Sequence, residues 1–187
     1  MIFFIDSADL NEIRELNELG IINGVTTNPS LMAKEGIVGA NSILEHYQEI
    51  CNIVTGDVSA EVISTEYKDI IEEGHKLSEV DKKIVVKIPM IKNGLKALHY
   101  FSKNRIKTNC TLVFSASQAL LAAKAGATYV SPFMARLDDW DKKTCSSFEM
   151  LSDIKTIYQN YNYNTKILGA SIRNKDYIIK CAKLGAD

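Results

Sequence analysis

Short apolar stretches alternate with longer amphipathic ones along the whole chain, and this alternation restricts the fold more than any single residue does. The strand candidates are IFFI (2–5), INGV (22–25), VSAEV (58–62), IVVKI (84–88), KTNCT (107–111), TYVSP (128–132) and KILGA (166–170). Between them, apolar residues recur three or four positions apart, which is the helical period. Leu10, Ile13, Leu16 and Leu19 form the first stripe, with Ser7 or Asp9 as N-cap and Gly20 ending it. Six further stripes follow. They are centred on Ile43–Cys51, Ile70–Leu77, Leu95–Phe101, Ser115–Ala125, Phe148–Ile157 and Tyr177–Leu184.

Strands followed by helices in strict succession, spaced roughly 20–40 residues apart, imply right-handed βαβ crossovers and a parallel sheet covered by helices. Two architectures answer to that, an open doubly wound sheet and a closed (β/α)8 TIM barrel. A dinucleotide-binding sheet would carry a glycine-rich turn after its first strand, but this chain has DSADLNE there. The barrel is therefore expected. The 187 residues hold seven such units, and the chain ends in CAKLGAD, the kind of segment that introduces another strand. The expectation is one barrel domain over residues 1–187, C-terminally incomplete, lacking the eighth strand and C-terminal helix.

Composition narrows the function. A net charge of −1 provides no basic surface for nucleic acid. No apolar run approaches the roughly 20 residues that span a bilayer, so no membrane partner is expected. The first residues lack a basic start and their apolar stretch ends at Asp6, unlike a signal peptide, so the cytoplasm is the expected compartment. Cys51, Cys110, Cys145 and Cys181 are scattered, as are His46, His75 and His99, without the paired spacing of a zinc site. They read as core thiols of a reducing compartment and as helix residues, and no metal is expected.

In α/β barrels the active site is built at the C-terminal ends of the strands. Those ends carry Asp6, Thr26, Thr27, Asn28, Glu61, Lys87, Thr111, Ser131, Ser171 and Arg173. Lys87 stands out, because a lysine inside an apolar parallel strand has no short route to solvent. Burial disfavours the ammonium form and favours a nucleophilic amine. A lysine ion-paired for structure is the plain alternative. Asp6 and Glu61 also end apolar strands, and a pocket shared with Lys87 would satisfy all three. Asp6 has a rival role as a helix cap. Arg136 and Arg173, just past strand ends, could clamp a phosphate with Ser171 as an added donor.

The segments GVTTNPSL (24–31), SAEV (59–62), VVKIP (85–89), NCTLVFSASQA (109–119), SPFMARLDDW (131–140) and GASIRN (169–174) resemble, in order, those of transaldolase in its short bacterial-type form. That family is close to fructose-6-phosphate aldolase, which shares its barrel and Schiff-base lysine. The resemblance implies class I chemistry without a cofactor or metal. It makes Lys87 the Schiff-base lysine, Asp6 the acid/base, and Glu61 with Thr111 the pair holding a catalytic water. It places Asn28 and Ser131 on the dihydroxyacetone unit, Arg136, Ser171 and Arg173 on the phosphate, and Thr26 and Thr27 along the same wall.

Two positions separate the relatives. The aldolase branch typically carries Gln where this chain has Glu61, and Tyr where it has Phe133. Both residues here follow the transaldolase pattern. The resemblance thus implies a transferase of the pentose phosphate pathway acting on sugar phosphates, assembled as a homo-oligomer, a pentamer or a decamer. A sugar-phosphate lyase is the near alternative, and a non-catalytic sugar-phosphate-binding barrel the distant one.

Overall fold

Asp9, not Ser7, opens the first helix: its carboxylate accepts from the backbone N–H groups of Asn11 and Glu12. Ser7 instead donates from its hydroxyl to Glu12. A computed structural model describes residues 1–140 and 146–187; Cys145 lies outside the described residues. The chain divides into two units, Ile2–Lys87 and Ile88–Asp187, with Met1 grouped with the latter.

The first unit runs β1 (Phe4–Asp6), α1 (Leu10–Glu18), β2 (Gly24–Thr26), α2 (Pro29–Lys34), α3 (Ala40–Ile53), β3 (Asp57–Glu61), α4 (Tyr67–Ser78) and the first four residues of β4 (Ile84–Pro89). Its strands pair in parallel and in chain order. In the doubly wound order β1 would lie inside the sheet beside a later strand. Chain order is the order of a barrel.

The register places Asp6, Thr26, Ser59 and Val85 at one level and Glu61 with Lys87 two residues further on. Side chains alternate across a strand, so Asp6, Thr26, Glu61 and Lys87 belong to one face of the sheet. Gly24 lies one level below, where an added Cβ would come within 2.5 Å of the Phe4 ring. A larger residue there would displace Phe4 from beneath the polar groups. On the opposite face Val25, Val58, Ile84 and Val86 are buried, and Ile13, Ile50 and Ile70 are buried on the helices.

The second unit continues from the end of β4 through α5 (Lys92–Lys103), β5 (Thr108–Val113), α6 (Ala116–Lys124), β6 (Tyr129–Pro132), α7 (Met134–Trp140), α8 (Ser147–Asn160), β7 (Lys166–Ile167) and α9 (Lys175–Leu184). β5, β6 and β7 pair in parallel, again in chain order. The β5–β6 register shifts between Cys110 and Val113, where Leu112 takes φ +57°. Left-handed backbone is unfavourable for leucine, so this bulge is imposed by tertiary structure. β7 is shorter than the expected 166–170, although Leu168 and Ala170 still donate to Val130 and Pro132, and Ala170 bridges Phe133. α8 starts with a capping box between Ser146 and Glu149, and Gly185 closes α9 in the left-handed conformation.

The class is α/β, with parallel strands and helices alternating as in a (β/α)8 barrel and seven strands among the described residues. α2 and α7 add helices to the alternation. His46, His75 and His99 fall in α3, α4 and α5, and Cys51, Cys110 and Cys181 are buried. No helix among the described residues is long and apolar enough to cross a membrane.

Candidate active site

Within the first unit the site is organised around Lys87, which retains 6% of its surface. Its Nζ lies 3.0 Å from Glu61 Oε2 and donates to the Thr27 carbonyl at 3.2 Å. Register explains the pairing: Glu61 and Lys87 are direct cross-strand partners on β3 and β4. An ammonium out of water needs such partners to offset its lost hydration. The same contacts fix the position of the nitrogen.

One level below, Thr26 donates its hydroxyl to Asp6 Oδ1 at 2.9 Å. Asp6 is exposed, and because Asp9 caps α1, its carboxylate is not spent on the helix. A fixed, solvent-facing carboxylate is suited to take up and return a proton. Asn28 does cap a helix. Its Oδ1 accepts from Ser30 and Leu31 at 3.0 and 3.1 Å, which turns its amide nitrogen into the group available as a donor. The Thr27 hydroxyl is fully buried and makes no hydrogen bond among the described residues.

The backbone around Glu61 is held at four successive amides. Glu61 N–H donates to the Tyr47 hydroxyl at 3.2 Å and Val62 N–H to the Lys87 carbonyl at 3.0 Å. Ile63 and Ser64 donate to the two carboxylate oxygens of Glu73 at 2.9 and 3.0 Å. Tyr47 was not singled out from the sequence, where it reads as one member of the apolar stripe on α3.

In the second unit Ser131 donates to Asn109 Oδ1 at 2.9 Å, with both residues buried. Asn109 was not singled out from the sequence, although a polar residue two positions before Thr111 in a buried strand is a usable signal. The Thr111 hydroxyl is buried and makes no hydrogen bond among the described residues, while its carbonyl accepts from Met90. A buried hydroxyl without a protein partner is suited to hold a water or a ligand oxygen. Burial pushes the neighbouring Cys110 thiol up to about 12, so it supplies no thiolate near neutral pH.

Phe133 is half-buried, packs against Phe114 with ring centres 5.6 Å apart, and carries the Arg136 guanidinium 5.0 Å from its own ring centre. Arg136 and Arg173 are both exposed, on α7 and in the loop before α9. Arg173 is gripped by Asp139, a partner the sequence did not announce. Ser171 has φ +57° and its carbonyl accepts from Ala135 N–H, which ties the loop after β7 to the start of α7.

A buried lysine beside a carboxylate on adjacent parallel strands can support amine chemistry on a carbonyl substrate. Residues 3–187 match the family model described as Transaldolase/Fructose-6-phosphate aldolase, and the chain belongs to that family. It is 63% identical to a "Probable transaldolase" of Cytophaga hutchinsonii, 59% to one of Phocaeicola vulgatus and 53% to one of Porphyromonas gingivalis. In each case all of this chain and 84% of the relative are covered. The protein is an enzyme of the transaldolase and aldolase type.

Proposed function

We propose that the protein is a transaldolase of the pentose phosphate pathway, moving a dihydroxyacetone unit from sedoheptulose 7-phosphate to glyceraldehyde 3-phosphate. The products are erythrose 4-phosphate and fructose 6-phosphate. The observation that carries this reading is the buried Lys87 amine, 3.0 Å from Glu61 Oε2 on the next strand. Lys87 passes a proton to Glu61, its amine adds to the donor ketone, and Glu61, working through a water held with Thr111, returns the proton to the carbinolamine hydroxyl, which leaves as water. Asp6 takes the proton from the hydroxyl on the carbon beyond the scissile bond. That carbon leaves as the aldehyde, and the bonding electrons remain in the enamine on Lys87. The enamine adds to the acceptor aldehyde, Asp6 returns the proton to the new hydroxyl, and hydrolysis frees Lys87. A covalent intermediate replaces one difficult step by two easier ones.

Ser131 and the Asn28 amide contact the dihydroxyacetone unit in this scheme, Thr26 and Thr27 line the same wall, and Arg136, Arg173 and Ser171 bind the phosphate. Phe133 supports transfer over cleavage, because it carries no acidic hydrogen with which to protonate the enamine. A homo-oligomeric, cytoplasmic enzyme belongs to the same reading. Borohydride reduction in the presence of fructose 6-phosphate, followed by peptide mass spectrometry, tests it. A reduced three-carbon adduct on Lys87 is expected; a label on another lysine, such as Lys92, overturns the assignment. Release of free dihydroxyacetone without any acceptor moves the protein to the aldolase branch.

A further inference from the structure

The β2–β3 ladder stops one rung early. Thr27 N–H donates to the Ser59 carbonyl at 3.3 Å, and in a parallel pair with this register the next rung runs from Glu61 N–H to the Thr27 carbonyl. That bond is not made among the described residues. The Thr27 carbonyl accepts instead from Lys87 Nζ at 3.2 Å, and the Glu61 N–H donates instead to the Tyr47 hydroxyl at 3.2 Å. One backbone hydrogen bond has been exchanged for two side-chain bonds.

A buried N–H left without an acceptor is costly, so the exchange requires a substitute acceptor directly behind Glu61. Tyr47 on α3 is that substitute. It is 1% exposed, so its hydroxyl has no freedom to swing elsewhere, and α3 packs its buried face, His46, Tyr47, Ile50 and Cys51, inward. Burial pushes the Tyr47 phenol well above its usual range; the Glu61 amide bond opposes this, and the Glu61 and Glu73 carboxylates add to it. The phenol therefore stays neutral at every working pH.

We infer that Tyr47 is a positioning residue for the reaction: by accepting the Glu61 N–H it sets the Glu61 carboxylate and frees the Thr27 carbonyl to hold Lys87. This rests on the roles proposed above for Lys87 and Glu61. Without the phenol oxygen, Glu61 N–H must compete with Lys87 for the Thr27 carbonyl or remain unpaired. In either case the spacing of Glu61 and Lys87 changes, while the phosphate-binding residues of the second unit are untouched.

The test is Tyr47→Phe, which deletes one oxygen and keeps the ring. A matched control is Tyr158→Phe, which removes another buried hydroxyl, the one that donates to the Ala119 carbonyl at 2.7 Å. Misplacement of reacting groups by about 1 Å can cost on the order of 100-fold. Tyr47→Phe should lower kcat and the rate of borohydride trapping by about 10- to 100-fold, with KM changed less than about three-fold. Tyr158→Phe should keep kcat within about two-fold of wild type. Wild-type kcat in Tyr47→Phe, or equal losses in the two variants, overturns the proposal. Amide exchange on the wild-type protein needs no variant to fold: the Glu61 amide should exchange as slowly as that of Val62, and fast exchange overturns the proposal. Absence of any trapped adduct in wild type would sink the reading of Lys87 instead, and Glu61 amide exchange compared between wild type and Tyr47→Phe would still show whether Tyr47 holds that amide.

Discussion

Arg173 and Asp139 meet side to side: Nη1 donates to Oδ1 at 2.9 Å and Nη2 to Oδ2. The pair is more than half exposed on both sides, and exposed ion pairs contribute little to stability. Asp139 therefore neutralises the guanidinium without fixing the fold. It also competes for the donors that a phosphate would use.

Asp139→Asn is accordingly expected to tighten binding of inorganic phosphate, measured by competition against fructose 6-phosphate. Arg173→Ala should weaken phosphorylated donors and acceptors by about ten-fold or more, the range of a lost charge-assisted contact. Unphosphorylated sugars should be unaffected. Equal loss with both kinds of sugar would make the Arg173–Asp139 pair structural.

The Lys87–Glu61 pair lends itself to a double-mutant cycle. With 8% and 15% of their side chains exposed, removing either partner leaves a nearly buried charge unpaired, which typically costs about 3–5 kcal/mol. Lys87→Met and Glu61→Leu should each destabilise in urea unfolding by roughly the lower end of that range, since Glu61 keeps some water contact. The double variant should regain most of the loss. Both Lys87 variants should give no trapped adduct. Simple additivity of the two losses would show that the pair is not coupled in the folded protein.

Phe133 tests the choice between transfer and cleavage. Its ring packs against Phe114 and lies beneath the Arg136 guanidinium, so Phe133→Tyr adds a hydroxyl to a ring that already has packed neighbours. General-acid assistance is worth about 10²–10⁴-fold. Release of free dihydroxyacetone from fructose 6-phosphate should rise in this variant and transfer to an acceptor should fall. Unchanged partitioning would remove Phe133 from the account.

The strands and long helices could be read from the sequence because each repeats one hydrophobic period over several turns or pleats. Lys87 and Glu61 were legible for the same reason, as charged residues interrupting such a pattern. α2 and α7, of six and seven residues, are too short to show a stripe, though Asn28 followed by Pro29 is a cap and first-turn pair. Leu112 gave no warning of its bulge, since leucine has no preference for left-handed backbone. Tyr47 and Asp139 act through contacts that only tertiary structure creates. Neither residue type nor spacing shows that a phenol on α3 replaces a missing sheet bond.

Asp138 joins three helices. Its carboxylate accepts from Ser147 N–H and Ser147 Oγ, each at 2.9 Å, and from the Tyr177 hydroxyl at 2.7 Å, linking α7 to the starts of α8 and α9. Burial alone would raise this carboxyl. The bonds from Ser147 N–H, the Tyr177 hydroxyl and the Ser147 hydroxyl outweigh burial and the repulsion from Asp139, and hold it below its usual 3.8. A depressed carboxyl stabilises the fold above its unfolded value, and that stability is lost as pH falls through the folded value. Tyr177 behaves in the opposite sense. Its bond to Asp138, followed by burial, raises the phenol above 10.0, so its contribution is present below that pH and lost as pH rises through the higher folded value. Asp138→Asn should therefore flatten the acid side of the stability profile below about pH 4, and Tyr177→Phe should flatten the alkaline side above about pH 10. Urea midpoints measured from pH 2 to 6 and from pH 9 to 11 would read both arms. An Asp138→Asn variant that loses stability in acid as steeply as wild type would place the acid-sensitive group elsewhere in the protein.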